Sequence, residues 1–538
     1  MQSIYAIKKT VFITFFASVM VAGRAQQIPL DAAVQNRFNE LTLSADTNIF
    51  TGFRALNWLE LKPYLTNRGT EIMDSTFGIS YTDNGYAFKN IGTDNWMKTS
   101  GDKGVFVADP FITLAGGFAN NGDGGLLQAA GGVQLQGIYN DKLSYSFGVV
   151  TGFRQYPSYL RNAITSNQYY QPGLGKSTMQ NDGFTSTQFN ANITYVGGKH
   201  FTAAAGYGKN FIGDGYRSLL LSDNAPNAPY IRLQAKLWKL TYNVLYTRYE
   251  NPRFQTFGKT QVKYSTTHYL GVNLSKRLQV GLYDNVIWLK DDSTSQRGFD
   301  VQYVNPLIFI RPIEFTFGSP DNAFVGITAK YKLYKNGYIY GQLGLDDLNL
   351  SSSLRNDAQH YGNKYALQFG IWNKDVFGLK NLSWRLEWNG VRPYMYGHGF
   401  GKIGLNYTHN NQSLANPFNA NFHEFISIFQ YHNDRWYGTL ENLFTIRGEN
   451  PGLPYNNGED LWGGETGVPT FGSKTLQGTK HKYLYNQLSA GYLLNPRNRL
   501  SIQADIVYRR HSAPSFTNST MFFMLGIHTR LFNLYHDF

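Results

Sequence analysis

The chain has 538 residues, of which 16% are aromatic and 16% charged, and its formal net charge is +13. This length exceeds the roughly 250–300 residues at which one hydrophobic core stops growing, so several domains or one large barrel are expected. The mean hydropathy of -0.36 is too polar for a bundle of membrane-spanning helices. The absence of cysteine excludes disulfides, thiolate metal sites, a catalytic thiol and a lipid-modified N-terminal cysteine. Because the basic residues are scattered without a basic run, nucleic acid is excluded as a partner.

Residues 1–25 are predicted to be a cleaved signal peptide. Two lysines precede an apolar stretch at 10–23 (TVFITFFASVMVAG), and the small residues Gly23 and Ala25 suit cleavage before Gln26. The stretch has 14 residues, fewer than the about 20 that a transmembrane helix needs. No later segment provides 18 consecutive apolar residues. We therefore expect any crossing of a membrane to be made by strands.

Residues 26–104 are predicted to form a small, partly helical periplasmic or plug-like segment. Positions 30–43 have helical spacing of apolar residues, with Asp31 as a candidate N-cap. The remainder is mixed and polar. The alternative is a long extended leader into the first strand.

Residues 105–538 predict an all-β transmembrane barrel with antiparallel strands. The stretch 143–153 alternates apolar with small or polar residues. Turn residues separate such stretches at Asn140-Asp141, at Gly197-Gly198 and at Asn336-Gly337, which is the strongest hairpin signal of the three. Long polar connections are predicted at 155–186, 209–229, 395–422 and 446–480. Short turns alternating with long loops, together with abundant Tyr and Phe for aromatic girdles, are typical of an outer-membrane barrel. A soluble β-sandwich or propeller is the alternative, although no blade repeat is present.

The end of the chain resembles an assembly signal. A phenylalanine at position 538, with Phe532 and Leu534 at matching even offsets, resembles the terminal motif on an amphipathic last strand that the barrel-assembly machinery reads. We therefore expect Phe538 to lie on the last strand.

Charged residues in or beside strand-like segments are candidate contacts for a hydrophilic polymer. A basic charge on the lipid face costs about 2–4 kcal/mol at the bilayer midplane, so these residues should face the lumen, lie near the rims or belong to loops. Eight are predicted to contact polysaccharide: Arg217, Asp223, Asp284, Arg311, Glu314, Asp321, Glu387 and Arg392. The alternative is a salt-bridged network that fills and stiffens the barrel.

The sequence predicts no catalytic, metal-binding or cofactor-binding residue. The 11 histidines are dispersed, and neither HExxH nor GxSxG occurs. The run 120–125 (NNGDGG) lacks the ordered ligand spacing of a calcium loop, and the glycine-rich run 206–213 does not open a helix after a buried strand. We therefore expect a protein that is not an enzyme and has no cofactor.

Several motifs between about 206 and 425 resemble, in order, the Wzi-type capsule-assembly proteins, a family that includes the Bacteroidetes gliding-motility protein RemB. They are GYGK followed by GDGYRSLLLSDNA in 206–225, GLYDNVIW at 281–288, YVNPLIFIRPIE at 303–314, GSPDN at 318–322, RLEWNGVRPY at 385–394 and YTHNNQSLANPFNANF at 407–422. The resemblance is closer to the Bacteroidetes branch. The chain departs from the family at 415–417, where a histidine usually precedes the proline, and at Lys209, where arginine is usual.

The resemblance implies a barrel of about 18 strands in the outer membrane and a lectin-like role in assembling or attaching capsular polysaccharide. In the gliding branch it implies a structural part in surface motility or spreading. A porin or transporter is a further alternative. The implied partners are outer-membrane lipid or lipopolysaccharide, a surface polysaccharide, and a motility or secretion machinery.

Loop aromatics are candidates for stacking on sugar rings. The residues considered are Tyr169, Tyr170, Trp436 and Trp462. The alternative for each is a place in an interfacial girdle or in loop packing.

Overall fold

The computed structural model describes most of the chain. It covers residues 28–44, 49–54, 56–61, 94–101, 103–120, 123–291, 298–305, 321–334, 336–347, 359–399, 403–530 and 533–538. The predicted signal peptide at 1–25 lies outside the described residues, and the limits 26–104 and 105–538 stay predictions.

Within these ranges, 18 long antiparallel strands close into one barrel. Each strand is hydrogen-bonded to its neighbours along the chain, and the last strand pairs with the first. In chain order they are β1 (Gly104–Ala119), β2 (Gly124–Tyr139), β3 (Leu143–Gln155), β4 (Gly183–Gly197), β5 (Phe201–Gly208), β6 (Ala228–Leu237), β7 (Leu240–Thr256), β8 (Lys259–Asn273), β9 (Leu278–Leu289), β10 (Asn322–Leu333), β11 (Gly337–Asp347), β12 (Lys364–Lys374), β13 (Leu382–Val391), β14 (Phe422–Asn433), β15 (Trp436–Glu449), β16 (Thr479–Asn495), β17 (Leu500–Ala513) and β18 (Phe516–Thr529). The predicted all-β barrel is confirmed.

Short elements accompany the barrel. The helices are α1 (Ala32–Ser44), α2 (Trp58–Leu61) and α3 (Ser158–Ser166), with 3-10 turns at Val301–Val304, Val376–Gly378 and Ile403–Leu405. Short strands at Met97–Gly101 and Thr178–Gln180 pair with β1 and β4. Three further short pairs join Phe53–Arg54 to Phe211–Ile212, Tyr170–Gln171 to Gly175–Lys176, and Thr408–His409 to Gln412–Ser413. In the described part of the chain, no helix has both the length and the hydropathy to cross a membrane.

The predicted cap of the first helix is confirmed. The Asp31 carboxylate accepts hydrogen bonds from the backbone N–H groups of Ala33 (3.1 Å) and Val34 (3.2 Å). These are two of the donors that the first turn of a helix leaves without an intrahelical partner. The cap therefore fixes where α1 begins.

Side chains along the strands alternate between lumen and membrane, because successive residues of a strand point to opposite faces. In β6, Arg232 and Gln234 are buried on the lumen side, whereas Ile231, the residue before Arg232, is 53% exposed. Exposed aromatic residues collect where short turns join the strands: Tyr139, Tyr195, Phe201, Trp238, Tyr334, Phe377, Tyr431 and Trp436. This ring of aromatics has the position of an interfacial girdle.

The two ends of the barrel differ in the length of their connections. Short turns join the strands at one end, here called the turn end. In the turn between β2 and β3, Asn140 and Asp141 have φ values of 52° and 53°, as a type I′ turn requires. At the opposite end, here called the loop end, six connections are long: 156–182, 209–227, 290–321, 348–363, 392–421 and 450–478. The other three at this end, 120–123, 257–258 and 514–515, are short. In outer-membrane barrels the long loops are extracellular.

Three of the described segments lie in the lumen and contact the inner side of the wall. The first is the N-terminal segment, meaning the described residues between 28 and 61. The second is the luminal loop, 209–227, which turns inward from the loop end. The third is the C-terminal tail, 533–538. All three contact side chains that point inward from the strands, and they pack with loop 392–421 around an apolar cluster that includes Leu220, Tyr396 and Phe418. The barrel wall therefore encloses a core of polar and apolar groups made by its own chain.

The N-terminal segment is held to the wall by polar contacts. Asn36 of α1 accepts hydrogen bonds from the indole of Trp372 (2.8 Å) and the hydroxyl of Ser383 (3.0 Å). Glu60 of α2 forms an ion pair with the inward-facing Arg232. Each of these groups is buried, and a buried polar group is costly unless it is hydrogen-bonded. The segment and the wall therefore satisfy each other's polar atoms.

The expectation that Phe538 lies on the last strand is wrong. β18 ends at Thr529, and the C-terminal tail lies inside the barrel, where the backbone carbonyl of Phe538 accepts a hydrogen bond from Arg509 (2.9 Å). The tail side chains that pair with luminal polar groups are Asn533, Tyr535 and Asp537, which alternate with the even-numbered positions of the expected motif.

Candidate functional site: the luminal network and the loop end

Arg217, in the luminal loop, lies at the centre of a buried charge network. Its guanidinium is 3.1 Å from the Glu424 carboxylate and 2.8 Å from that of Asp537, and all three side chains are almost fully buried. The ring of Tyr535 lies 4.5 Å from the guanidinium carbon. Burial alone would lower the pKa of Arg217, but Asp537 and Glu424 outweigh it and hold that pKa well above its ordinary value. The arginine is therefore a permanent cation that joins the loop, β14 and the tail.

Glu387 of β13 fixes the backbone of the same loop. Its carboxylate accepts hydrogen bonds from the N–H groups of Tyr216 (2.7 Å) and Arg217 (3.1 Å). The Tyr340 hydroxyl donates a third, at 2.6 Å. Because these bonds go to main-chain atoms, Glu387 sets the position of the loop as well as its charge balance.

A glycine permits this close approach, which leads to a prediction. A Cβ at Gly215 would lie 2.6 Å from a Glu387 carboxylate oxygen and 2.7 Å from the Arg217 carbonyl. We expect Gly215→Ala to lower the free energy of unfolding by about 1–3 kcal/mol, as overpacking does. Denaturant titration in detergent measures the change. Gly116→Ala is the control, because no atom lies within 4 Å of its Cβ. An equal effect of the two substitutions would contradict the prediction.

Asp223 joins the far end of the luminal loop to both chain termini. Its carboxylate accepts hydrogen bonds from the Tyr535 hydroxyl (2.7 Å) and the Asn533 amide (3.0 Å). The same amide donates to the Leu30 carbonyl (2.8 Å). The loop, the tail and the N-terminal segment are therefore one hydrogen-bonded body.

Lys209 donates to the backbone carbonyl of Asp223 (2.8 Å), and its burial leads to a second prediction. Burial lowers the pKa of Lys209 to about 8, against the attraction of Asp223, whereas an unfolded lysine has a pKa of about 10.4. The unfolded chain therefore binds more protons in this window, and stability rises with pH. From about pH 8 to about pH 10, we expect the wild type to gain about 2 kcal/mol relative to Lys209→Met. Unfolding curves recorded at each pH test this prediction. Lys199→Met, which replaces an exposed lysine, is the control, and the wild type should show no such gain relative to it. Parallel pH profiles of the wild type and Lys209→Met would contradict the prediction.

Asp214 anchors the start of the luminal loop. Its carboxylate lies 2.9 Å from the ammonium of Lys330 on β10 and accepts a hydrogen bond from the Thr51 hydroxyl (2.6 Å). Burial would raise the pKa of Asp214, but Lys330 and Arg54 outweigh it and lower the pKa. This second ion pair ties the loop to β10 and to the N-terminal segment.

The predicted charged residues fall in different places. Arg217, Asp223 and Glu387 meet in the luminal network. Arg392 lies at the loop end, where its guanidinium donates to the carbonyls of Asn363 (3.0 Å) and Ser473 (3.2 Å). Two of the eight, Arg311 and Glu314, lie outside the described residues. That any of the eight contacts polysaccharide stays a prediction.

Asp284 does not meet the expectation that such charges face the lumen, lie at a rim or belong to a loop. It lies in the middle of β9 beside His268 of β8 (3.5 Å), on the outer face of the wall. Residues 298–305, here called the outer strap, cover this face: the Tyr303 and Asn305 carbonyls accept hydrogen bonds from Thr266 (2.8 Å) and His268 (3.0 Å).

The cover explains how a carboxylate can lie on the outer face. The ring of Tyr303 lies 4.8 Å from that of the buried Trp288, and its hydroxyl donates to Asp321 (2.7 Å) at the rim. Irregular backbone at membrane depth is tolerated where it is buried in protein. The alternation of residues along β9 carries no information about a segment elsewhere in the chain that covers its outer face, so the position of Asp284 could not be predicted from it.

Several members of the network were not predicted. They are Asp214, Lys330, Glu424, Tyr535 and Asp537. Lys330 had a usable signal, because it alternates with outward apolar residues along β10. The role of Asp537 had none, since nothing in the sequence shows that the tail returns to the lumen.

The loop end carries a mixed aromatic and polar surface. The exposed Arg253 lies with its guanidinium carbon 4.1 Å from the Trp462 ring, and it donates to the side-chain oxygen of Asn167 (2.9 Å). Tyr169, two residues after Asn167 in the chain, is 41% exposed. We call Asn167, Tyr169, Arg253 and Trp462 the loop-end surface.

The other two candidate aromatics do not belong to the loop-end surface. Tyr170 is 8% exposed. Trp436 is the first residue of β15 and lies at the turn end, so its assignment to a loop is wrong and it belongs to the girdle. Only the residues around a tryptophan indicate whether it begins a strand or lies in a loop. The polar residues just before Trp436 led to its wrong assignment.

A closed barrel with a polar filled lumen, an outer apolar face and long loops at one end defines an outer-membrane β-barrel. Among solved structures, the chain is similar to Wzi of Escherichia coli, an outer-membrane protein involved in group 1 capsule assembly and described as a carbohydrate-binding barrel. The identity is 11%, the TM-score is 0.56, and the match covers 95% of this chain and 100% of Wzi. This likeness establishes a Wzi-like fold.

Two other solved barrels are also similar. OprD of Pseudomonas aeruginosa matches 78% of this chain and 94% of its own at 12% identity and a TM-score of 0.41. OpdK of the same organism, solved with vanillate, matches 78% and 97% at 10% identity and a TM-score of 0.41. No protein-family model and no curated protein sequence matches the chain.

Proposed function

We propose that this protein binds a surface polysaccharide at the outer face of the outer membrane, without catalysis, and serves in capsule assembly or attachment. The observation that carries the proposal is that the lumen is filled by the chain itself while the loop end presents aromatic and polar groups. The Wzi-like fold, whose solved member is described as carbohydrate-binding, supports the same assignment.

The filled lumen favours binding over transport. In the described part of the barrel, the luminal loop, the N-terminal segment and the tail share one hydrogen-bonded network around Asp223. A polymer passing through would have to break these buried hydrogen bonds, and leaving a buried polar group without its partner costs about 1–3 kcal/mol. The chemistry that meets a polymer is therefore placed at the loop end.

The loop-end surface has the chemistry that sugar recognition needs. An aromatic ring covers the apolar face of a sugar, and neighbouring amide and guanidinium groups hydrogen-bond its hydroxyls. Tyr169 provides an exposed ring, and Trp462 provides a partly buried one that packs against the hydrophobic core and carries Arg253 on its face. Asn167 and Arg253 provide the polar groups. The side chain of Arg253 is already held against Trp462, which reduces the entropy lost on binding.

A binding assay with matched tryptophan variants tests this proposal. Purified protein in detergent is applied to immobilised capsular polysaccharide from the source strain. Trp462→Ala is expected to weaken retention by about 5- to 30-fold, the effect of losing one or two kcal/mol. Trp436→Ala is the control, because it removes an exposed tryptophan at the turn end. Absence of wild-type retention on any glycan of the source strain would contradict the proposal.

The resemblance to the Bacteroidetes gliding branch supports a second candidate, a structural part of a motility or surface-spreading machinery. A clean deletion separates the two: shed polysaccharide with less polymer on the cell supports attachment, whereas a normal capsule with lost colony spreading supports motility. Export by a cleaved signal peptide is part of both proposals, and N-terminal sequencing of the mature protein tests it.

A further inference from the structure

Two histidines and a glutamate meet on three adjacent strands at the loop end. Glu449 is the last residue of β15, His481 is the third residue of β16, and His511 is the third from the end of β17. The pairing places Arg447 opposite His481, and Tyr483 opposite His511. The three side chains lie on the lumen side of the wall, beside the two ends of loop 450–478.

Their spacing matches that of metal ligands. The Nδ1 atom of His481 is 3.3 Å from a carboxylate oxygen, Oε2, of Glu449 and 3.0 Å from Nε2 of His511. All three ligand atoms lie within 4.8 Å of one another. Tetrahedral Zn²⁺ with bonds of about 2.0–2.2 Å places its ligands about 3.3–3.6 Å apart. Small rotations of the side chains are therefore enough to bring all three onto one ion.

Hydrogen bonding alone accounts poorly for this arrangement. The Nδ1 atom of His481 faces two groups that both offer lone pairs, and one hydrogen can point at only one of them with good geometry. If His511 supplies the hydrogen instead, Nδ1 of His481 and the Glu449 carboxylate are left facing each other without one. A cation accepts a lone pair from each of the three atoms.

The surroundings orient the ligands. The Tyr483 hydroxyl donates to the other oxygen of Glu449, Oε1 (2.5 Å), and Arg447 lies 3.5 Å from that same oxygen, which leaves Oε2 directed at His481. The Tyr483 ring stacks on His511 at 4.1 Å between centroids. Such outer contacts hold metal ligands in place in known sites.

The site is also open to entry. The side chains of His481 and Glu449 are 14% and 24% exposed, so an ion can reach them from the loop end. Two imidazoles and one carboxylate, with a further position left for water, form a donor set typical of Zn²⁺.

We propose that Glu449, His481 and His511 form a Zn²⁺ site. The ion would fasten both ends of loop 450–478, which leave β15 and begin β16, to the neighbouring β17. The positive charge of Arg447 repels a nearby cation. The negative charge of the Glu449 carboxylate is therefore essential for binding the ion.

The test uses the whole protein, purified in detergent without a polyhistidine tag and stripped with EDTA. Calorimetric titration with Zn²⁺ alone is expected to show one ion per chain, and Co²⁺ should give the visible bands of a four-coordinate site. His481→Ala, His511→Ala and the isosteric Glu449→Gln should each lose this binding. Tyr483→Phe should weaken it roughly 10- to 100-fold, as removal of an outer contact does.

His200→Ala is the matched control, because it removes an exposed histidine at the turn end and should leave Zn²⁺ binding unchanged. Heat-dependent gel mobility shows that each variant is folded. Absence of saturable Zn²⁺ binding by the wild type, or unchanged binding by folded Glu449→Gln and His481→Ala, would overturn the proposal.

Discussion

Replacing Arg217 by methionine is expected to lower the free energy of unfolding by about 3–5 kcal/mol, the cost of removing one partner from a buried ion pair. Methionine nearly preserves the volume, so the loss comes from the charge. Glu424 and Asp537, 3.1 Å and 2.8 Å from the guanidinium, would be left buried without their cation. Denaturant unfolding in detergent, followed by tryptophan fluorescence, measures the difference.

A second substitution separates charge from packing. In Arg217→Met combined with Glu424→Gln, one of the stranded carboxylates is neutral, so we expect part of the lost stability to return. Lys199→Met, at an exposed turn, should change stability by less than about 0.5 kcal/mol. If the double variant is no more stable than Arg217→Met, the network does not act through its charge.

The wall of the barrel could be predicted from the sequence because its signals are local. The alternation in 143–153 and the turns at Asn140-Asp141 and Gly197-Gly198 each depend on neighbouring residues, and the structure has β2–β3 and β4–β5 hairpins there. A two-residue periodicity is preserved whatever the rest of the chain does. The helix after Asp31 was predictable for the same reason.

The contents of the lumen could not be predicted in this way. Arg217, Asp223 and Glu387 were selected because charges are costly on a lipid face, and that reasoning placed them correctly inside. It failed for Asp284, because the outer strap gives this residue a protein environment on the outside of the wall. Partners such as Asp537 are more than 300 positions from Arg217 in the chain, and no periodicity connects them.

Removing residues 533–538 is expected to make the barrel conduct ions. Asn533, Tyr535 and His536 line a cavity of about 260 Å³ in the lumen, together with inward-facing residues of β14–β18 and β1–β3. Asn533 also lines a neighbouring cavity of about 30 Å³. Without the tail these spaces would join. Arg217 would lose Asp537, and Asp223 would lose Tyr535 and Asn533, so both would draw in water because buried polar groups without their partners are costly.

Planar-bilayer recording compares the full chain with the truncated one. The full chain should show little or no conductance, whereas the truncated chain should show discrete conductance steps. Restoring the part of the tail that contains Tyr535 should make these steps smaller. Asp223→Asn is the milder companion, since it weakens the hydrogen bonds that Tyr535 and Asn533 of the tail make to the luminal loop without deleting any residue. It should give brief openings. Unchanged silence in both variants would show that the N-terminal segment and the loops close the lumen by themselves. A large conductance of the intact chain would instead favour a transporter, because an open lumen would let the polymer pass through the barrel without binding at the loop end.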